Sequence, residues 1–500
     1  MRSSLVLILA YVGGSHASRP TSANCTEHFL EQPVDHFTYS PVTEKYNQRY
    51  FVCPQYKTSA NSPIFFYTGN EADVTLFVNN TGLMWELAQS VGAVLVFGEH
   101  RYYGSSVLPA VNGDCMRFLT VNQVLSDYAH LIVHVRSQLQ LSASAAVVTF
   151  GSSYGGMLSG WMRMKYPHLV EGAVASSAPI FHPFGISPDP TGSDFAITVS
   201  KLMGDTCARK LQQTLRIISH GDDGKKLRNI LNICEDDQGD LARWASTPWG
   251  FLAMGNYPYA NAYIPTTAGV GSDPLPPNPL NAACAILTRS SDESATGLVQ
   301  SLNEAVQMWY NASGTETCFR TAAADPKAGV YKQKCYGDYS FQRCAELAGP
   351  YQHGTYMDAF WPPLVVDKES LEKQCRDTYG MSPRIGAAAI EFGDSVADTV
   401  AGMSNIIWSN GEFDPWRPYG VNCNAVDCPA SVFSPFIRGG AHSSDLMFSH
   451  PLDSGDLEEV RRVEYAHISS WIEAKTLRYA GVRPQNPRPS GAFPRVVLAY

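Results

Sequence analysis

Three residue types, met in a fixed order along this chain, could carry acyl transfer. Gly151-Ser152-Ser153-Tyr154-Gly155 matches G-x-S-x-G, the pattern that exposes a serine hydroxyl on a sharp strand-to-helix turn. A serine hydroxyl is a weak nucleophile until a base takes its proton, and that base needs an acid to orient it. Chains built on this turn supply the partners in the order Ser, then Asp or Glu, then His. Asp414 lies in Ser409-Asn410-Gly411-Glu412-Phe413-Asp414-Pro415-Trp416, and His442 ends Gly439-Gly440-Ala441-His442. Ser153, Asp414 and His442 are therefore the expected nucleophile, orienting acid and base. Glu412 is the rival acid and reads as an exposed loop residue. His450 is the rival base, but it precedes Pro451 with no strand directly before it. A tetrahedral intermediate needs hydrogen-bond donors for its oxygen. The backbone N–H of Tyr154 is one expected donor, and the other comes from the Gly69-Asn70-Glu71 loop, with Gly69 the named residue.

The pentapeptide is a weak signal alone and gains force from the elements around it. Ala145–Phe150 reads as a buried strand, and Gly156–Lys165 as a helix that stops at Tyr166-Pro167. Earlier, Pro63–Tyr67 and Ala93–Phe97 read as buried strands, with a helix over Leu83–Gln89 between them. Thr120, with Gln123 three residues on, predicts a capped helix start followed by apolar residues at helical spacing. Gly172–Ser176 is a fourth strand. Such alternation implies a mostly parallel sheet covered on both faces. From about Ile186 to Arg384 buried strands are rare, helices are expected over Asp194–Leu215 and Leu298–Tyr310, and seven of the 12 cysteines fall there. The strand signal returns at Ser404–Trp408 and over Ser431–Ile437, which places Asp414 and His442 just beyond strand ends.

Composition sets outer bounds. The chain has 500 residues, 44% hydrophobic and 17% charged, ample for a core and unlike a disordered chain. Its net charge of −9 with no basic cluster argues against nucleic acid as a partner. Met1-Arg2, the apolar run Leu5–Val12 and small residues up to Ala17 predict a secretory signal peptide over 1–17. No later run is long enough to span a bilayer, and no membrane anchor is expected. The sequons at Asn24, Asn79 and Asn311 suit glycosylation on a secretory route, where disulfides also form. Cys423 and Cys428 close a short loop, and Cys207 and Cys234 bracket a helical pair; the connectivity of the rest stays open. No metal signature is present, and no cofactor is expected.

Beyond the triad, the chain resembles the serine peptidases that include lysosomal Pro-X carboxypeptidase, dipeptidyl peptidase II and thymus-specific serine protease. The resembling segments are Phe65–Glu71, Glu99–Gly104, Ser153–Leu158, Arg163–His168, Asn256–Tyr259, Ser409–Gly411, Asp414–Trp416 and Gly439–His442. The resemblance implies an α/β-hydrolase domain over 25–185 and 385–480, a large inserted helical cap over 186–384 and a C-terminal tail over 481–500. It implies cleavage of peptide substrates beside proline or a small residue, in a secreted or lysosomal setting, and admits a homodimer. It also suggests which substrate end is read. Asp325, in Ala324-Asp325-Pro326, resembles the acidic segment of the dipeptidyl peptidase branch and is the candidate anchor for a substrate ammonium; Glu71, with Asn70, is the second. Trp361, Trp416 and Tyr102 are candidates for an apolar proline pocket, with core packing the alternative. The first expectation is release of N-terminal dipeptides, the second is a Pro-X carboxypeptidase, and a non-catalytic binding module is a reading of another class. Glu99 and His100 are expected to form a structural network behind the sheet. Two departures stand out: the family often has a second histidine where this chain has Ser443, and a glycine where it has Ser152.

Overall fold

The computed structural model describes residues 19–40, 44–111, 114–184, 186–221, 224–266, 273–321 and 335–481. The expected signal segment 1–17, Asp325 and the tail beyond Gly481 lie outside the described residues.

The apolar runs become the centre of an eight-stranded sheet: β1 (Thr26–Pro33), β2 (Lys45–Cys53), β3 (Ile64–Thr68), β4 (Val94–Gly98), β5 (Val147–Ser152), β6 (Gly172–Ser176), β7 (Ile406–Ile407) and β8 (Val432–Phe433). Their spatial order is β1-β2-β4-β3-β5-β6-β7-β8. From β4 onward every pair is parallel, while β1 and β2 run antiparallel at one edge. All residues of β3, β4, β5 and β6 are buried, as strands covered on both faces must be. Alternate side chains feed two cores: Phe65 and Tyr67 join one apolar cluster, Ile64 and Phe66 the other. This is an α/β-hydrolase fold.

Helix α1 (Val121–Gln138) starts at Thr120, whose hydroxyl accepts the N–H of Gln123. The Gln123 side chain does not complete the expected reciprocal cap. It donates to Asp35 and accepts the N–H of His36, pinning the N-terminal segment to the helix. His36 also reaches Asp127 at 2.7 Å, which binds Arg101 and the Tyr46 hydroxyl.

Between β6 and β7 the chain leaves the sheet for a helical excursion. Its main helices are α2 (Asp194–His220), α3 (Leu241–Met254), α4 (Pro279–Arg289), α5 (Ala295–Tyr310) and the short α6 (Tyr339–Ala345). Helices α2 to α5 share one continuous apolar cluster with a face of the sheet: Trp244, Trp249 and Trp309 belong to the cluster that contains Phe65 and Phe97. These helices are therefore packed onto the sheet. The last described helix is α7 (Gly455–Tyr479), whose Trp471 occupies the space that a Cβ at Gly172 would need. No described helix is long and apolar enough to cross a membrane.

All 12 cysteines are paired. Cys423–Cys428 closes the expected short loop. Cys207 and Cys234 do not bracket a pair of their own. Cys207 joins Cys284, linking α2 to α4, and Cys234 joins Cys318. Cys344–Cys375 fixes α6, Cys25–Cys53 ties β1 to β2, and Cys115–Cys335 clamps the excursion to the sheet domain.

Candidate active site

Ser153 sits between β5 and the elbow helix Tyr154–Lys165 with φ 57° and ψ −127°, a conformation that costs a non-glycine residue about 1–3 kcal/mol. Its N–H donates to Ser176 O at 2.9 Å, and its carbonyl accepts the N–H of Met157 at 3.0 Å. The glycines around it are there because backbones cross at contact. A Cβ at Gly151 would lie 2.0 Å from the Gly155 carbonyl oxygen. One at Gly155 would lie 2.8 Å from Thr68 O and 2.7 Å from Asn70 Oδ1.

The two partners arrive from the neighbouring strand ends, as expected. Asp414 is fully buried beyond β7, and its Oδ1 accepts the N–H of Trp416 at 3.0 Å. His442 follows the short strand Phe436–Ile437, and its Nδ1 lies 2.9 Å from Asp414 Oδ1. The contact is close but the ring N–H is not aligned on the carboxylate, so Nδ1 makes no well-formed hydrogen bond. Apo sites commonly tighten such bonds only on substrate binding. The helical excursion holds this histidine by its backbone: His442 N–H donates to Met254 O at 3.1 Å, and the Tyr257 hydroxyl donates to His442 O. Tyr257 lies in the Asn256–Tyr259 motif, whose contribution to the site is thereby explained.

The rivals serve elsewhere. Glu412 accepts the N–H of Gly439, and His450 Nδ1 accepts the N–H of Leu452 while its ring packs on Tyr259 at 4.2 Å.

Ser153 and His442 open into a cavity of about 540 Å³ roofed by the helical excursion. Asn70, Glu71, Tyr154 and Trp416 line it, so four expected substrate or oxyanion residues converge. The Tyr154 N–H is the first free donor of its helix. Gly69 requires a correction. Its N–H is already donated to Gly98 O at 3.0 Å, continuing the β3–β4 ladder, and cannot also face the oxygen of an intermediate. Asn70, one residue on, has left the ladder. Its side chain donates to Glu71 Oε2 at 3.0 Å. Burial pushes the Glu71 carboxyl up, while its own backbone N–H, Asn70 and then His442 pull it down.

Trp361 and Tyr102 do not line the cavity. Trp361 packs under the Arg216 guanidinium at 3.8 Å, and Tyr102 is a buried core residue with φ 72°. Glu99 and His100 are structural, but at the C-terminal end of the sheet rather than behind it. Glu99 binds Arg49, the N–H of Val74 and the turn at Ser105 and Ser106. His100 Nε2 meets the Tyr154 hydroxyl at 3.1 Å, and burial pushes its pKa down to about 4. The neutral ring thus props the residue beside the nucleophile.

The structure adds residues that sequence reading missed. His182, in the loop after β6, lines the cavity with its edge toward Trp416, and burial lowers its pKa to about 4. Its place soon after a strand end was the available signal. Tyr339 and Arg343, on α6, also line the cavity. No pattern marks them, since α6 reaches the site only through tertiary packing. Asn24 and Asn79 are exposed and Asn311 is partly so.

The chain matches the family described as Serine carboxypeptidase S28 over residues 32–464. It is 33% identical over 459 residues to the lysosomal Pro-X carboxypeptidase of Mus musculus, an alignment covering 89% of this chain and 88% of that protein. The Homo sapiens protein of that name is 34% identical over 458 residues, with the same coverage. The thymus-specific serine protease of Mus musculus is 26% identical over 469 residues, covering 89% of this chain and 87% of that protein. A serine held on a strained elbow, a histidine and a buried aspartate in the required order, and this continuous match have one meaning: the chain belongs to the S28 family of serine peptidases and is a serine-type exopeptidase.

Proposed function

We propose that this exopeptidase is a Pro-X carboxypeptidase, releasing the C-terminal residue that follows proline. The observation that carries the reading is the extended match, at 33–34% identity, to proteins bearing that name, together with an apolar, aromatic-walled cavity over Ser153. Ser153 Oγ attacks the scissile carbonyl carbon as His442 Nε2 takes its proton, and Asp414 orients the ring. The oxyanion is received by the N–H groups of Tyr154 and Asn70. Collapse expels the C-terminal amino acid, protonated by His442, and leaves an acyl ester on Ser153. Water, activated by the same histidine, hydrolyses that ester. Trp416 supplies a flat wall suited to a proline ring.

Glu71 favours a second reading. A carboxylate at the cavity wall could bind a substrate ammonium, and the product would then be an N-terminal dipeptide. Asp325, the other proposed amine anchor, lies outside the described residues. Two peptides separate the readings: an acetylated one ending in Pro-X with a free carboxylate, and an Ala-Pro-initiated one with a free amine and a C-terminal amide. Cleavage of the first and not the second supports the carboxypeptidase; the reverse overturns it. Ser153→Ala abolishes either activity, and retained hydrolysis would refute the mechanism.

The setting proposed is secretory or lysosomal, with glycans at Asn24, Asn79 and Asn311. Six disulfides without a free thiol require an oxidising route.

A further inference from the structure

We propose that Arg343 is the anchor for the substrate's terminal carboxylate, and so the residue that makes this site an exopeptidase site at the C-terminal end. The inference rests on the carboxypeptidase reading and deepens it.

Arg343 lines the cavity that holds Ser153 and His442. Among the described residues its one hydrogen bond is a long one, from Nη2 to Gly349 O at 3.3 Å. Its Nε is buried without any partner, and among the described residues no carboxylate forms an ion pair with it. A guanidinium carries five donors in a fixed fork, matched to the two oxygens of a carboxylate. Arg343 is half-buried, and even a partial loss of water without a counter-charge is costly. Burial accordingly depresses its basicity, and only the Tyr339 and Tyr351 hydroxyls oppose that electrostatically. A residue kept in this condition at the wall of a substrate cavity fits an incoming anion.

The surrounding structure fixes its position. The adjacent Gln342 is fully buried, accepting from the Tyr103 hydroxyl at 2.7 Å and donating to the Tyr154 hydroxyl at 2.9 Å. The next residue, Cys344, is bridged to Cys375. Arg343 is thus bracketed by a tie to the oxyanion residue and a covalent staple. Glu71 lines the same cavity, and the Tyr339 ring feels both charges, Glu71 raising its pKa and Arg343 lowering it. The two charged groups act on one tyrosine without pairing, which leaves the guanidinium open to substrate.

The experiment compares acetylated peptides ending in Pro-Phe as the free acid and as the amide, with wild type, Arg343→Gln and Arg343→Lys. Wild type prefers the acid. Arg343→Gln lowers kcat/KM for the acid on the order of 100-fold, chiefly through KM, and brings the acid-to-amide ratio close to one. Arg343→Lys restores part of the preference, which a purely structural role would not do. Labelling of Ser153 by a fluorophosphonate confirms that each variant keeps a folded site. If Arg343→Gln labels normally and keeps the wild-type acid-to-amide ratio, the anchor is wrong and the carboxypeptidase reading stands. If wild type itself cleaves only free-amine peptides, the reading beneath it fails.

Discussion

Replacing Glu346 by glutamine should make the protein more stable at neutral pH and leave it little changed in acid. Glu346 follows α6 and is buried, 8% exposed, with Oε1 accepting the N–H of Val121 at 2.6 Å. Burial pushes its pKa from 4.5 to about 8; the Val121 N–H and Arg384 oppose the shift, and Glu391 adds to it. An acid whose pKa is raised by folding binds its proton more tightly in the native state, so stability falls as pH rises between the unfolded and folded values. Below about pH 4.5 both states are protonated and the group contributes nothing. At pH 7 the unfolded chain has lost the proton and the native state has not. At about 1.4 kcal/mol per unit, the cost to the folded state is about 3 kcal/mol. Glutamine keeps the acceptor for Val121 and cannot ionise, so it removes that cost. Urea unfolding of the disulfide-intact protein, followed by tryptophan fluorescence at pH 5 and pH 7, measures the difference. Between pH 5 and pH 7 the variant should gain about 2.5 kcal/mol relative to wild type, the rest of the difference being already present at pH 5. Parallel losses in both proteins would refute the assignment. Glu464 reinforces the trend: it is fully buried, and desolvation and the adjacent Asp445 push its carboxyl well up.

Two further outcomes follow from the elbow. Gly155→Ala forces the Asn70 side chain and Thr68 carbonyl apart, so kcat should fall on the order of 100-fold, as when an oxyanion donor is lost, with about 1–3 kcal/mol of stability; near-normal kcat in purified variant would refute the close approach. Ser152→Gly and Ser443→Ala should each destabilise, while the double variant costs less than their sum by roughly 1 kcal/mol; strict additivity in thermal or urea unfolding would show that the two hydroxyls are not one unit.

The parts of this molecule that were legible in its sequence are those where chemistry constrains several adjacent residues at once. Phe150 ends a run too apolar to lie anywhere but a buried strand, and the glycines after it fit only a turn where backbones touch. Asp414 and His442 could be read because each follows such a strand. The antiparallel β1–β2 edge was missed because Thr26–Pro33 is a polar edge strand with one fully buried residue, Gln32, and so has no apolar run to betray it. Helix α7 was missed for a related reason: its buried side includes Arg461, Glu464 and Lys475, so its apolar stripe is broken by charges. The proposed oxyanion donor moves by one residue from the one read in the sequence, because Gly69 N–H is donated to Gly98 O. Gly69 differs from Asn70 only in which N–H the β3–β4 ladder consumes, and a strand's last hydrogen bond is not written in composition. Arg343 could not be found at all, because its meaning lies in what it fails to contact.

The departures at 152 and 443 show why reading positions singly falls short. Taken alone, Ser443 looks like the loss of a histidine from the catalytic loop, and Ser152 like a thickened elbow. In the fold the two side chains are fully buried and their hydroxyls are hydrogen-bonded to each other. Ser443 adopts a left-handed conformation, φ 59°, secured by its N–H donating to Ser177 Oγ at 2.8 Å. Ser152 belongs to β5, the strand that leads into Ser153. A glycine at 152 would leave the Ser443 hydroxyl buried without this partner, and a histidine at 443 would have to occupy space the Ser152 side chain fills. Each change is unfavourable alone, by desolvation in one case and crowding in the other. Together they close a polar contact between the nucleophile strand and the histidine loop. The next residue, Asp445, extends that clamp, accepting the hydroxyls of Ser176 on β6 and Ser409 beyond β7 at 2.6 Å each. The loop that carries His442 is thus fixed to three consecutive strand ends through serine hydroxyls.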